Sequence, residues 1–165
     1  MSSKHKNLSD FTSEIKLHNA HKIKVGIVVA EWNNEVTFAL RDGAIATLKK
    51  YGIKTKNIQI SYVPGSFELT LGAQWQLQHT DVSAVLCLGC VIQGETRHFD
   101  FICDAVANGI TQLNVVYSTP VIFGVLTPNN QQQAIDRAGG KHGNKGDEAA
   151  FTALKMLELK SKLSK

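Results

Sequence analysis

Four apolar stretches of strand length constrain this chain more than any other feature: IKVGIVVA at 23–30, IQISYVP at 58–64, SAVLCLGCVI at 83–92 and PVIFGVL at 120–126. Their apolar residues run nearly continuously, and branched side chains are frequent. A strand covered on one face alternates apolar with polar, whereas a strand covered on both faces does not. Such runs therefore need helices on both sides, and the segments between them have helical periodicity. Residues 33–51 carry Val36, Phe38, Leu40, Ala44, Ile45 and Leu48, and stop at Gly52. Residues 66–78 and 98–116 read likewise, the latter with Ile102, Val106, Ile110 and Leu113 along one side. Thr127-Pro128 offers a cap hydroxyl and then proline at the first helical position, predicting a short helix to about Ala138. After the glycine-rich break GGKHGNKG a last helix is expected from about Asp147 to Leu159. Phe151, Leu154 and Leu157 would face inward, and Lys155, Glu158 and Lys160 outward. Strand and helix alternate throughout, which predicts an α/β fold: a parallel sheet with helices on both faces. Ligands of such sheets bind beyond the carboxyl ends of the strands.

The chain is 165 residues long, enough for one domain with a buried core, expected over 23–165. Residues 1–22 read as a flexible amino-terminal segment. That segment has no apolar stretch of the signal-peptide kind, and no window approaches the ~18 apolar residues of a membrane span. With three cysteines besides, the expectation is reduced thiols, a cytoplasmic location and no membrane partner.

The net charge of +4 could suggest nucleic acid, but its distribution argues against it. Between residues 57 and 154 only Arg97, Arg137, Lys141 and Lys145 are cationic, against eight acids. The remaining cations lie towards the two ends and in the first helix and the segment after it. Scarce cations next to glycine-rich turns are better placed to hold a small anion than a polyanion.

Each strand-to-helix turn carries chemistry. After the first strand come Trp32 and Asn33. The plain reading is packing and a helix cap; the alternative is a flat side chain stacking on a heterocycle beside an amide. After the second come Ser66, Phe67 and Glu68, readable as a helix cap, an aromatic and an acid suited to the helix dipole. They read equally as an aromatic wall with acceptors for ligand hydroxyls. After the third comes GETRH, where Gly94 permits close backbone approach and the amides of Glu95, Thr96 and Arg97 open a helix, as phosphate sites do. His98 stands there as a candidate general acid/base, because imidazole titrates near neutral pH. After the fourth, Arg137, Lys141 and Lys145 sit among glycines that bring cations and backbone donors together, an arrangement suited to phosphate.

Other signals are weak. Cys87 and Cys90 form a C-x-x-C pattern within a strand, where residues three apart face opposite ways and cannot share a metal. Cys103 reads as packing on a helix. With no second cysteine pair, no HExxH and no carboxylate cluster, no metal is expected.

VPGSFE, GCVIQGETRHFDF, PVIFGVLT and AIDRAGGKHGNKG, in that order and at these separations, resemble the 6,7-dimethyl-8-ribityllumazine synthase family over roughly Lys24 to Leu157. The resemblance implies a flavodoxin-like three-layer αβα sandwich around a four-stranded parallel sheet. It implies condensation of 5-amino-6-(D-ribitylamino)uracil with 3,4-dihydroxy-2-butanone 4-phosphate, through Schiff base, phosphate elimination and ring closure, without cofactor or metal. By motif, Trp32 would stack on the pyrimidine with Asn33 beside it, and Ser66, Phe67 and Glu68 would meet the pyrimidine and ribityl chain. Val91 and Ile92 would offer backbone groups to the heterocycle, and Glu95 and Thr96 backbone contacts to phosphate. His98 would be the proton shuttle. Phe123, Arg137 and Lys145 would come across a subunit interface, Arg137 holding the phosphate. Gln93 stands where many relatives have a basic residue, and Glu95 brings a carboxylate near the phosphate loop. For partners, the resemblance implies small-molecule substrates and a homo-oligomer, either a pentamer or a sixty-subunit shell, with riboflavin synthase as a further associate. The short GGKHGN loop leans towards the shell, and the amino-terminal segment could add a strand to a neighbour's sheet. A non-catalytic flavin or lumazine carrier, and a purely structural cage protein, are the alternatives in other classes.

Overall fold

The near-continuous apolar runs become the strands of a parallel sheet, and successive side chains of each strand go to opposite layers. The computed structural model describes residues 7–11 and 14–164. Strands β1 (Val25–Ala30), β2 (Ile58–Val63), β3 (Ala84–Cys90) and β4 (Val121–Leu126) lie in the order β2-β1-β3-β4, all pairs parallel. Between them run α1 (Asn34–Lys50), α2 (Leu69–His79) and α3 (His98–Tyr117). After β4 come α4 (Gln131–Ile135), the short strands β5 (Ala138–Gly140) and β6 (Gly143–Asn144), and α5 (Lys145–Leu163). Val25, Ile27, Val29, Leu86, Leu88 and Cys90 pack in one apolar cluster with residues of α1 and α5. Val28, Ala30, Val85 and Cys87 pack in a second with residues of α2 and α3. The result is the flavodoxin-like three-layer sandwich that the sequence predicts. Cys87 and Cys90 fall in different clusters, so their thiols point to opposite faces as expected.

Helix boundaries depart from the sequence reading where a better local cap or a tertiary partner outweighs the first local signal. Thr127-Pro128 does not open a helix. α4 begins at Gln131, capped by Asn130, whose Oδ1 accepts from the Gln133 amide (3.0 Å) while Gln133 Oε1 accepts from the Asn129 amide (3.0 Å). That reciprocal pair satisfies two amides at once, which one threonine hydroxyl cannot. The glycine-rich break is an antiparallel hairpin, β5 with β6, and α5 starts at Lys145, two residues early. Its cap is Asn144, which accepts from the Gly146 amide through Oδ1 (2.8 Å) and donates through Nδ2 to the Ala39 carbonyl of α1 (2.9 Å). α2 starts at Leu69, and Ser66 does not cap it.

Glu158 is not on the outer face of α5; its side chain is only 7% exposed. It accepts from the Lys16 amide (3.2 Å) and pairs with Lys155 (3.1 Å) and Lys162 (3.1 Å), which tethers residues preceding β1 to the last helix. The Lys162 ammonium first, then the Lys16 amide and Lys155, hold its carboxyl down at about 2. A carboxyl depressed in the folded state stabilises above its unfolded pKa of ~4.3, and that contribution fades as pH falls through the folded value. Unfolding midpoints taken from pH 6 down to pH 2 should therefore drop more steeply in the native protein than in Glu158→Gln, with the two curves converging at the acid end. Parallel curves would refute the assignment.

Nearer the amino end, Leu8 donates its amide to the His142 carbonyl (2.8 Å), Ser9 Oγ accepts from the Asn144 amide (2.9 Å), and Phe11 stacks on Phe151. Within the 1–22 segment for which flexibility is expected, residues 1–6 and 12–13 lie outside the described residues, and Ala20–Lys22 form a short 3-10 turn. Among the described residues, no helix is long and apolar enough to cross a membrane.

Candidate active site

The chain leaves β1 on one side for β2 and returns on the other for β3, so the crevice between the carboxyl ends of β1 and β3 is the topological switch point of the sheet. A cavity of about 660 Å³ opens there, a volume within the usual range for small-molecule sites. Trp32 and Asn33 line it from the end of β1, Gly65 to Glu68 from the end of β2, and Cys90, Val91 and Ile92 from the end of β3. His98, Phe101 and Ile102 line it from α3.

Each wall has a local cause. Trp32 leaves β1 on a turn fixed by hydrogen bonds from the Glu31 amide to the Val63 carbonyl (2.8 Å) and from the Trp32 amide to the Pro64 carbonyl (3.0 Å). Trp32 is 73% exposed, so it is no packing residue of this chain. Asn33 adopts a left-handed backbone (φ 60°) and makes no side-chain cap to α1; its Nδ2 donates to the Cys90 carbonyl (2.9 Å). Thr37, in the first turn of α1, donates its hydroxyl to the Ala30 carbonyl (2.6 Å). Ser66 is buried at 7% exposure with no hydrogen-bond partner for Oγ. A Cβ at Gly89 of β3 would lie 2.6 Å from that oxygen, so glycine there is what admits the serine.

The loop from Gln93 to Arg97 is exposed. The amides of Glu95, Thr96 and Arg97 have no hydrogen-bond partner among the described residues, and Thr96 Oγ1 accepts a long bond from the His98 amide (3.4 Å). Neither Glu95 nor Thr96 lines the cavity, whereas His98 does. Gly94 has open space where a Cβ would be, so nothing within this chain demands glycine there. Burial pushes the Cys90 thiol up to about 12 and does the same for Cys87. Both therefore stay protonated and unreactive near neutral pH.

The predicted cations gather elsewhere, and only in part. Arg137 and Lys145 line a separate cavity of about 290 Å³ with Val125, Leu126, Thr127, Pro128, Gln133 and Leu8, beyond the end of the edge strand β4. Arg137 Nη1 donates to the Gln133 carbonyl (2.9 Å), and Lys145 pairs with Glu148 (2.9 Å). Lys141 does not join them; it reaches back to Asp136 (3.0 Å). The Gln132 amide and then Lys141 hold the Asp136 carboxyl below the usual range. Phe123 is half-buried on β4 against the α2–α3 layer and lines neither cavity.

Sequence reasoning missed Phe101 and Ile102. The signal was available, because both lie three and four residues after His98 on a predicted helix and so share its face. The arrangement can clasp a flat, partly polar ligand between aromatic walls, meet it with a buried hydroxyl and a carboxylate, and present an imidazole at its edge.

Comparison with known proteins gives this arrangement a context. The family described as 6,7-dimethyl-8-ribityllumazine synthase matches residues 22–161. A Cytophaga hutchinsonii protein of that name is 62% identical over 157 residues, which is 95% of this chain and 98% of the relative. One from Phocaeicola vulgatus is 52% identical over 165 residues, covering 100% and 98% of the two chains. A third, from Bacteroides fragilis, is 53% identical over 143 residues, 87% of this chain and 100% of its own length.

Proposed function

The chain belongs to the 6,7-dimethyl-8-ribityllumazine synthase family, and from that premise we propose that it condenses 5-amino-6-(D-ribitylamino)uracil with 3,4-dihydroxy-2-butanone 4-phosphate, releasing phosphate and water. The observation that carries this reading is the convergence of Trp32, Phe67, Glu68, Ser66 and His98 on one cavity at the switch point. A pyrimidine is flat and polar at its edge, and a ribityl chain is a row of hydroxyls. The aromatic walls suit the first, and the unpartnered Ser66 hydroxyl with the Glu68 carboxylate suits the second. Asn33 stands beside the ring, and Val91 and Ile92 present backbone groups to its edge.

The chemistry follows from proton traffic. The substrate amine attacks the ketone carbonyl, and loss of water gives an imine. Removal of a proton next to the imine carbon then expels phosphate with the electron pair of its C–O bond. The resulting enol takes up a proton to become a ketone, and the ribityl-bearing nitrogen attacks it and closes the ring with loss of a second water. His98 moves these protons at the edge of the cavity, by the general acid–base catalysis suited to imidazole. Holding both substrates in attack geometry supplies much of the remaining rate. The departing phosphate is held by Arg137 and Lys145, with the free amides of Glu95 and Thr96 opposite.

Those cations line a different cavity from Trp32 in the same chain, which supports a site completed by a neighbouring copy. In this reading Phe123, Arg137 and Lys145 of one subunit close the cavity of the next in a homopentamer. Exposed apolar side chains on α2 and α3, Leu71, Trp75, Val115 and Val116, suit such contacts. The tight β5–β6 hairpin, Ala138–Gly140 with Gly143–Asn144, suits further assembly of pentamers into a shell.

Mixing both substrates with purified protein tests the reading. Lumazine absorbance and inorganic phosphate should rise in equal amounts, faster than without protein. Background rates alongside tight binding of lumazine or riboflavin would make the protein a carrier on the same fold.

A further inference from the structure

Asn33 is placed as a helix cap but does not act as one. Its backbone is left-handed (φ 60°, ψ 44°), a region that asparagine tolerates better than most residues, and its side chain makes no bond to the amides that open α1. The side chain instead turns to β3 and donates from Nδ2 to the Cys90 carbonyl, 2.9 Å away. A carbonyl oxygen only accepts, so the amide must present its NH₂ there.

The position of that bond gives it meaning. The β1–β3 pairing runs as far as Val29 with Leu88, and the bond lies just beyond it, at the mouth of the switch-point crevice. The two residues before Asn33 in the same turn are tied by their backbone amides to Val63 and Pro64, at the end of β2. One turn is thus clasped to both neighbours of β1, by its backbone on one side and by the Asn33 side chain on the other. Trp32 stands between the anchors, and Val91 and Ile92 follow directly from Cys90.

We infer that Asn33 is a positioning residue: its N–H to Cys90 sets the spacing between the Trp32 ring and the Val91–Ile92 backbone, rather than contacting substrate itself. The flat ligand gripped between them is that of the proposed function, on which this part rests; the hydrogen bond and its effect on Trp32 do not depend on it.

Two substitutions separate positioning from contact. Asn33→Asp keeps the size, an acceptor oxygen and tolerance of a left-handed backbone, but a carboxylate cannot donate to the Cys90 carbonyl and is repelled by it. Asn33→Gly keeps the backbone freedom and removes the link, so folding is not at stake in that variant. Both are made with Trp75→Phe, which leaves Trp32 as the sole tryptophan. The first readout, without ligand, is the fluorescence anisotropy decay of Trp32. The second is the steady-state rate of lumazine formation against pyrimidine concentration.

The expected result is the same for both variants: a larger fast component in the Trp32 decay, a KM for the pyrimidine raised about 10-fold, and kcat within about 3-fold of the parent. Asp behaving as the parent in both readouts while Gly is impaired would overturn the inference in favour of substrate contact through Oδ1. Parental behaviour of both variants would also overturn it, as would a fall in kcat at constant KM. If the parent itself turns nothing over, the proposed function fails, and the anisotropy decay alone decides the role of Asn33.

Discussion

Gly146→Ala should cost the protein about 3 kcal/mol or more, a large share of the 5–15 kcal/mol that holds a typical domain folded. The reason is a close crossing of α1 and α5. A Cβ built on Gly146 would lie 1.8 Å from the Leu40 carbonyl oxygen and 2.6 Å from its carbon, both backbone atoms of α1. A flexible side chain could step aside, but a helical carbonyl cannot. On the facing helix, a Cβ at Gly43 would meet Asn144 Cγ at 2.6 Å, so glycines on both helices make room for the crossing and for the asparagine. Asn144 then bonds to both sides through its Ala39 and Gly146 contacts. Pushing the helices apart would break these bonds as well as the packing of Leu154 and Ala150 in the core. Urea unfolding checks it, with Gly94→Ala as control, because a Cβ at Gly94 meets only open space. The control should stay within about 0.5 kcal/mol of the parent. A Gly146→Ala variant equally close would show that the crossing relaxes.

Arg137→Ala should be the most damaging substitution to turnover, exceeding His98→Ala, for which a loss of about 10²–10⁴-fold is expected. A proton shuttle can be replaced in part by water, whereas a multiply charged phosphate has few substitutes for a guanidinium fork. Arg137 is half-buried and its Nη1 is anchored on the Gln133 carbonyl, so the fork is held in place before any ligand arrives. Lys145, its companion in the cavity, is already paired with Glu148 and compensates poorly. Arg137→Lys should fall between the parent and the alanine variant, retaining charge without the bidentate geometry. Initial rates of phosphate release for the three variants decide the order. A His98→Ala protein slower than Arg137→Ala would reverse it and make proton transfer the dominant contribution.

The central strands β1 and β3 were legible because burial on both faces leaves its mark in consecutive residues, whereas the edge strand β2 keeps an apolar run although Ile60 and Tyr62 are exposed. The helix stripes were legible because three or four residues span a turn. Val106, Ile110 and Leu113 are buried as their spacing predicts, with Ile102 half-buried at the cavity. The turns that carry Trp32, Ser66, Phe67, Glu68 and His98 were legible for a topological reason, since every strand-to-helix turn of a parallel sheet opens at the same end. Most of what escaped depends on partners distant in the chain. Glu158 looks like a surface residue of α5 until Lys16, 142 positions away, donates to it. Asn33 looks like a cap until Cys90, 57 positions away, takes its amide. Thr127-Pro128 is a sound local signal that lost to a better reciprocal cap three residues on. The separation of Arg137 and Lys145 from Trp32 was legible only through the family resemblance, because residue patterns alone give their neighbours in the chain and not which cavity they reach.

Leu8 and Ser9 are hydrogen-bonded to the hairpin that follows Arg137, and Leu8 also forms part of the wall around Arg137 and Lys145. In the proposed reaction, where Arg137 and Lys145 hold the phosphate, a protease nick, a bulky fusion or a trimmed start within residues 7–11 would therefore be felt as a change in anion affinity at the far end of the sequence. Preparations that differ only in how their amino end is finished would not be interchangeable in a phosphate-release assay.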